Sequence, residues 1–208
     1  MTTVLVVTGG DPILPAALEG LAHADFIVAA DSGLDHAERL GLTPDVVVGD
    51  FDSVTDDALG RFSGPVERHP VDKDATDLEL ALRIAVERAP ERIVVLGGHG
   101  GRLDHFIANA LVLTTTPPDV EVEWRAGPAT IYVVHSRVAL SGTPGASVSL
   151  VPVGGDTEGV TTSGLRWPLT RESLTSGSTL GVSNEFAAAR ATVEIQKGTL
   201  LVIVPGQS

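Results

Sequence analysis

Val46-Val47-Val48-Gly49-Asp50-Phe51-Asp52-Ser53 is the stretch on which the fold of this chain turns. Three consecutive β-branched residues followed by a glycine and two acids describe a strand buried on both faces that ends abruptly in a polar loop. An unbroken apolar run, as opposed to an alternating one, marks a parallel sheet covered by helices. The same pattern recurs at Val4–Val7, Phe26–Ala30, Ile93–Leu96 and Val120–Val122, with a weaker run near Val66. Between these runs, apolar spacing predicts helices over Leu14–Ala22, Leu34–Leu40, Asp56–Phe62, Leu78–Arg88 and Asp104–Leu113. Residues 1–124 are therefore expected to form an α/β domain, a Rossmann-like parallel sheet with flanking helices.

Beyond Arg125 the texture changes. Short apolar runs at Ile131–Val134, Ser147–Val151, Gly159–Thr162, Thr192–Gln196 and Leu200–Val204 are separated by turn signals such as Ser141-Gly142-Thr143-Pro144-Gly145 and Lys197-Gly198. That rhythm predicts an all-β sandwich over residues 125–208. The chain carries neither an internal repeat nor a low-complexity segment.

Composition excludes several functions. A net charge of −13 with only two lysines leaves no basic surface for nucleic acid. The absence of cysteine rules out disulfides and thiolate metal sites and fits a cytoplasmic protein. The opening Met1-Thr2-Thr3-Val4 has no basic region or cleavage site, which argues against a secretory leader. Apolar runs such as Leu200–Val204 fall far short of the ~20 residues a membrane span needs.

Eight carboxylates fall between Asp50 and Asp77. Asp50 and Asp52 stand i, i+2 in a segment expected to be extended, so they project to the same side. Two carboxylates ~4 Å apart repel by about 4 kcal/mol at an effective dielectric of ~20, so a neutralising cation is expected. Mg²⁺ suits such a site, because it takes one or two protein carboxylates and completes its shell with water and phosphate oxygens. Lys73-Asp74-Ala75-Thr76-Asp77 ends the acidic stretch, and Thr76-Asp77-Leu78-Glu79 also fits a capping box before an apolar helical face. Capping alone explains Thr76 and Asp77 but not Asp74. Asp50 and Asp52 alone also read as turn formers.

Gly97-Gly98-His99-Gly100-Gly101-Arg102-Leu103-Asp104-His105 follows one strand and opens a helix. Glycines and a helix N-terminus suit a phosphate, and Arg102 offers a two-pronged fork for its oxygens. A plain strand-to-helix turn with a surface arginine accounts for the glycines equally well. The loop is neither a P-loop nor the dinucleotide fingerprint, whose third glycine is replaced by Leu103. His99 and His105 match no zinc spacing and read as hydrogen-bonding or surface groups, while Asp104 suits a helix cap or an orienter of Arg102. No Gly-x-Ser-x-Gly nucleophile elbow is present. Together with Thr8-Gly9-Gly10-Asp11 and Asp31-Ser32-Gly33, these segments all fall at carboxyl ends of strands, where open α/β sheets bind ligands. In the second half, Trp167 and Phe186 are either core residues or a wall for a flat aromatic acceptor.

Asp31-Ser32-Gly33, Gly49-Asp50-Phe51-Asp52-Ser53, Lys73-Asp74-Ala75-Thr76-Asp77, Gly100-Gly101-Arg102-Leu103-Asp104-His105 and Val182-Ser183-Asn184-Glu185, in this order, resemble the thiamine pyrophosphokinase family over nearly the whole chain. The resemblance implies a nucleotide-binding α/β domain, a β-sandwich that binds thiamine and dimerises, and a homodimer. It also implies that ATP and thiamine give AMP and thiamine diphosphate. Carried over by position, Asp50, Asp52 and Asp77 would hold Mg²⁺. Asp31, Ser32, Lys73, Asp74, Gly98, Gly100, Gly101 and Arg102 would meet ATP, with Arg102 and Asp104 on its phosphate side. Thr76, Ser183 and Asn184 would lie near thiamine, and Trp167 and Phe186 are the aromatics expected to complete that side as a wall. Two positions depart from the family's eukaryotic members: Ser32, where they commonly have glycine, and Lys73, where they have glutamine.

A protein of this charge needs local cations to hold an ATP tail, and Mg²⁺, Arg102, Lys73 and a helix N-terminus are the candidates. Two other functions compete. One is pyrophosphoryl transfer to a different heterocyclic alcohol, such as a hydroxymethylpterin; the other is a non-catalytic nucleotide-sensing module.

Overall fold

The computed structural model describes residues 1–21, 23–51, 54–70 and 74–206, with Asp56 described by its backbone alone. The chain divides into two compact units, Met1–Gly127 and Pro128–Ser208. Among the described residues, no helix is long and apolar enough to cross a membrane.

In the first unit, strands β1 (Thr3–Thr8), β2 (Phe26–Ala30), β3 (Val46–Gly49), β4 (Val66–Arg68), β5 (Arg92–Leu96) and β6 (Glu121–Ala126) pair in the order β4-β3-β2-β1-β5-β6. Every pairing is parallel, with Val6 opposite both Val28 and Val95. The valine-rich runs are continuous because both faces are covered. Leu5, Val7 and Leu96 pack with Ala37 of α1 (Gly33–Arg39), and Ala29 and Val47 pack with Ala58 of α2 (Asp56–Arg61). Helix α3 (Asp77–Glu87) packs on β1, β2 and β3, burying Leu78, Leu80, Ala81, Leu82, Ile84 and Ala85. α4 (Leu103–Leu113) follows β5. β4 lies at the edge with all three residues exposed, which is why its apolar signal was weak.

Two expectations change. The helix foreseen over Leu14–Ala22 is a single 3₁₀ turn, Pro15–Leu18, none of whose residues is fully buried. Ala17 and Leu18 are only partly buried against the Leu5, Val7 and Leu96 cluster, too little to propagate a helix, and Glu19 turns extended at ψ 133° to end the turn. The turn is fastened instead by Arg125, which donates to the carbonyls of Ala17 (2.6 Å) and Glu19 (2.8 Å). Glu123, 7% exposed, holds Arg125 at 2.6 Å and also binds Arg92, joining β5 to β6. The extended geometry expected of the segment that carries Asp50 is also interrupted among the described residues, with Asp52 lying outside them. Strand β3 stops at Gly49 and Phe51 sits at φ +64°, so strand alternation does not carry past the glycine.

The second unit is antiparallel throughout. β12 (Asn184–Glu185), β9 (Ser147–Pro152), β14 (Leu200–Val204) and β7 (Ala129–Val134) pair in that order; β11 (Glu172–Leu174), β10 (Thr157–Ser163), β13 (Arg190–Glu194) and β8 (Arg137–Ser141) form the other sheet. Leu150, Leu200 and Val202 from the first sheet share one core with Leu140, Val160, Leu174 and Val193 from the second. This is a sandwich, and its alternating inside-outside strands explain the shorter apolar runs of this half.

Candidate active site

The chain winds outward from β1 through β2 and β3 to β4, then returns to place β5 on the other side of β1. The strand order therefore reverses at β1 and β5, and the space beyond the carboxyl ends of the strands at such a switch point is where open α/β sheets receive ligands. A cavity of about 700 Å³ lies there, lined by the loops after β1, β2, β3 and β5 and by the N-terminal end of α3.

Its floor is two loops laced together. The amide of Gly98 donates to Gly9 O (2.7 Å), and that of Asp11 donates to His99 O (2.8 Å). The Trp124 indole holds Gly97 O at 2.7 Å. His36, 6% exposed, donates from Nδ1 to Thr8 O at 3.2 Å, and burial pushes its pKa below the usual 6.5, keeping the ring neutral. Among the described residues, the amides of Gly100 and Gly101 donate no backbone hydrogen bond within the protein. They are open to an anion at the start of α4. Gly100 sits at φ +78°, and a Cβ there would overlap the Asp11 carboxylate.

The acids come from separate elements. Asp31 follows β2 at φ +47°, and β3 approaches it so closely that a Cβ on Gly49 would lie 3.2 Å from its Cα. Asp50 follows β3, and Asp77 begins α3, where the Thr76 hydroxyl accepts from Glu79 N at 3.2 Å as the capping box requires. Asp11, Asp31, Asp50 and Asp77 all line the cavity, against Arg102 and His105. Ser32, Thr76, Gly98, Gly100 and Gly101 line it too. Asp74 lies outside the lining, exposed in the turn before α3. Asp52 and Lys73 lie outside the described residues. Among the described residues no group of three or more acids or histidines is placed to hold a metal ion by itself.

Arg102 grips Asp104 with both prongs, Nε to Oδ1 at 3.2 Å and Nη2 to Oδ2 at 2.6 Å. That hydrogen bond brings the exposed Asp104 carboxyl down to about 2. Asp104 thus orients Arg102 at the mouth of the cavity, while Arg102 itself is part of the lining.

In the second unit, Trp167 is 51% exposed, with the Arg166 guanidinium 4.8 Å from its ring centre. Ser183 is exposed at φ +62°, a strained conformation for serine. Phe186, expected beside thiamine, is 2% exposed within the sandwich core, so its ring faces are spent on packing.

A family model described as "Thiamin pyrophosphokinase, catalytic domain" matches residues 18–123, and one described as "Thiamin pyrophosphokinase, vitamin B1 binding domain" matches residues 134–200. The thiamine pyrophosphokinase of Bacillus subtilis is 30% identical over 210 residues, covering 98% of each chain. The chain belongs to the thiamine pyrophosphokinase family. Its reaction is accordingly the transfer of a pyrophosphoryl group to thiamine. Arabidopsis thaliana thiamine pyrophosphokinase 1 is 29% identical, covering 87% of this chain and 78% of its own. The crystal structure of the Bacillus subtilis thiamine pyrophosphokinase superimposes with a TM-score of 0.86 at 28% identity, with all of both chains covered. That of Geobacillus thermodenitrificans gives 0.85 at 28% identity, covering 100% of this chain and 99% of the other.

Asn109 is a lining residue to which sequence reasoning gave no role, and Asp11 was marked only as part of the strand-end segment Thr8-Gly9-Gly10-Asp11. A signal for Asn109 was present: it is the polar interruption in Phe106-Ile107-Ala108-Asn109-Ala110-Leu111, 8% exposed in an otherwise apolar helical segment.

Proposed function

We propose that this thiamine pyrophosphokinase family member uses ATP with Mg²⁺, releasing AMP and thiamine diphosphate. The observation that carries the reading is the convergence of Asp31, Asp50 and Asp77 with the Gly98–Arg102 loop on one cavity, in a Rossmann-like sheet at the crevice expected for a nucleotide. Four carboxylates around a polyanion are incompatible without added positive charge. Asp50 and Asp77 fit Mg²⁺, which needs few protein carboxylates when phosphate oxygens complete its shell, and Asp52 joins them on the sequence pattern. Mg²⁺, when bound, would screen the phosphate charges.

The chain's own groups do the rest by positioning. The amides of Gly100 and Gly101 and the Arg102 fork hold the phosphates, with Asp104 fixing the fork's direction. Asp31, Ser32 and Gly98 flank the nucleotide, and Lys73 and Asp74 join that side on the sequence pattern. The thiamine hydroxyl oxygen attacks the β-phosphorus in line as the bond to the α–β bridging oxygen breaks. AMP leaves with that electron pair, and the hydroxyl proton passes to a cavity carboxylate. On the sequence pattern we keep Thr76 in the first unit, and Trp167 and Ser183 in the second, as candidate thiamine contacts, and we assign Phe186 to the core.

We further propose a cytoplasmic homodimer in which the first unit binds nucleotide and the second supplies thiamine-binding and dimer surface. The absence of cysteine supports a reducing compartment. Incubation with ATP·Mg²⁺ and either thiamine or a hydroxymethylpterin tests the acceptor. AMP formation with thiamine alone is expected; AMP with the pterin alone, or intact ATP with both, refutes the reading.

A further inference from the structure

Asn184 is 6% exposed, and its side chain is committed to the protein. Its Oδ1 accepts from the amides of Trp167 (3.2 Å) and Glu185 (2.8 Å), and its Nδ2 donates to the carbonyl of Trp167 at 2.7 Å. An asparagine amide offers two donors and two acceptor positions, so three of the four are used. One side chain thereby holds both main-chain polar groups of Trp167, a residue 17 positions away.

The neighbouring residues continue the grip. Arg166 donates its amide to Glu185 O at 2.9 Å, and Leu165 bridges to Phe186. Arg166 Nη1 pairs with the Glu185 carboxylate at 2.7 Å while its guanidinium lies over the indole of Trp167. Residues 184 and 185 belong to β12, which is registered on β9 with Asn184 opposite Val148. The indole is therefore carried by the sheet and not by a free loop, although half of its surface stays open.

We propose that Asn184 is a positioning residue that locks Trp167 as a preformed aromatic wall and does not itself touch the acceptor. This rests on the reading of Trp167 as part of the thiamine side. A wall ordered before binding spares the acceptor the entropy of ordering it, so loss of the lock weakens thiamine binding and leaves the chemical step alone.

The chain has two tryptophans, and the other, Trp124, is fully buried, so 5-fluorotryptophan gives one fluorine resonance from each. A Trp167→Phe variant assigns them. In Asn184→Ala the Trp167 resonance is expected to move toward that of free 5-fluorotryptophan while the Trp124 resonance stays in place. The KM for thiamine should rise about tenfold, as for loss of a single net hydrogen bond, with kcat and the KM for ATP changed less than about twofold. An unmoved Trp167 resonance with a raised thiamine KM would make Asn184 a direct contact and overturn the proposal. An unchanged thiamine KM with a displaced Trp167 resonance would overturn it as well.

If Asn184→Ala unfolds the second unit, Asn184→Asp keeps an acceptor for the Trp167 amide and replaces the donor to the Trp167 carbonyl with a charged oxygen that repels it. Displacement of the Trp167 resonance supports the lock, and an unmoved one refutes it. Trp167→Ala separates the two levels. An unchanged thiamine KM there removes Trp167 from the thiamine side, whereas the fluorine signature of Asn184→Ala still reports the lock itself.

Discussion

Asn109, one turn and a half into α4, donates its side-chain amide to the carbonyl of Gly98 at 3.2 Å. The helix that follows the glycine loop therefore also pins the beginning of that loop. A carbonyl tied back in this way leaves the loop's later amides in place for phosphate. Asn109→Leu removes the donor to a partly buried carbonyl, at a cost of about 1 kcal/mol for the lost hydrogen bond. Chemical denaturation should show that loss, and steady-state kinetics should show a several-fold rise in the KM for ATP.

Asp50 and Asp77 line one cavity from two different elements, so neither substitutes for the other. Asp50→Asn and Asp77→Asn should each lower kcat by about 100-fold or more, the scale of losing an electrostatic group at the reacting phosphates. Thr76 keeps its bond to Glu79 N in the second variant, so the start of α3 and the melting temperature should be retained. The Mg²⁺ concentration giving half-maximal rate should rise in both. Near wild-type rates would remove these acids from the metal assignment.

Much of the fold was legible because burial on both faces leaves an unmistakable trace. Val4–Val7, Val46–Val48 and Ile93–Leu96 are continuous apolar runs, and each lies in a fully paired strand. The apolar spacing around Pro15–Leu18 predicts a longer helix because spacing does not say how deeply a face is buried, and here Ala17 and Leu18 reach the core only in part. At the site, polar loops at strand ends were visible, since glycines and acids interrupt valine runs there. What composition could not reveal was direction. Phe51 at φ +64° breaks the alternation on which the Asp50–Asp52 argument depended, and the hydrogen bonds that tie the Asn184 amide to Trp167, 17 positions away, leave no trace in the sequence.

Gly100 is held at φ +78° above the Asp11 carboxylate. Gly100→Ala introduces backbone strain of about 1–3 kcal/mol together with a steric overlap. Gly100→Ala combined with Asp11→Ala relieves the overlap alone. The double variant should recover part of the stability lost in the single one, giving a non-zero coupling in a double-mutant cycle. Strict additivity of the two melting shifts would show that Asp11 and Gly100 do not meet.

His36 is buried and its pKa lies below the ordinary 6.5 through desolvation. As pH falls below 6.5 the unfolded chain takes up a proton that the folded ring resists, so stability present above that value is lost on acidification. Urea midpoints at pH 7.5 and pH 5.0 should differ more in the parent protein than in His36→Asn, whose amide can still donate toward Thr8 O. Asp104 behaves differently. Its carboxyl, held to about 2 by Arg102, keeps its contribution above the ordinary 3.8 and loses it only as pH falls through about 2. The Arg102–Asp104 pair therefore stays formed from pH 5 to pH 8, and Arg102→Lys should lower activity by a factor that does not vary across that range.

Positional labelling of the nucleotide tests the reaction most directly. With ATP carrying separate labels on its β- and γ-phosphorus, thiamine and Mg²⁺, the account predicts that both labels arrive together on thiamine diphosphate with one AMP formed per transfer. Formation of ADP, with only the γ label on thiamine, would contradict attack at the β-phosphorus.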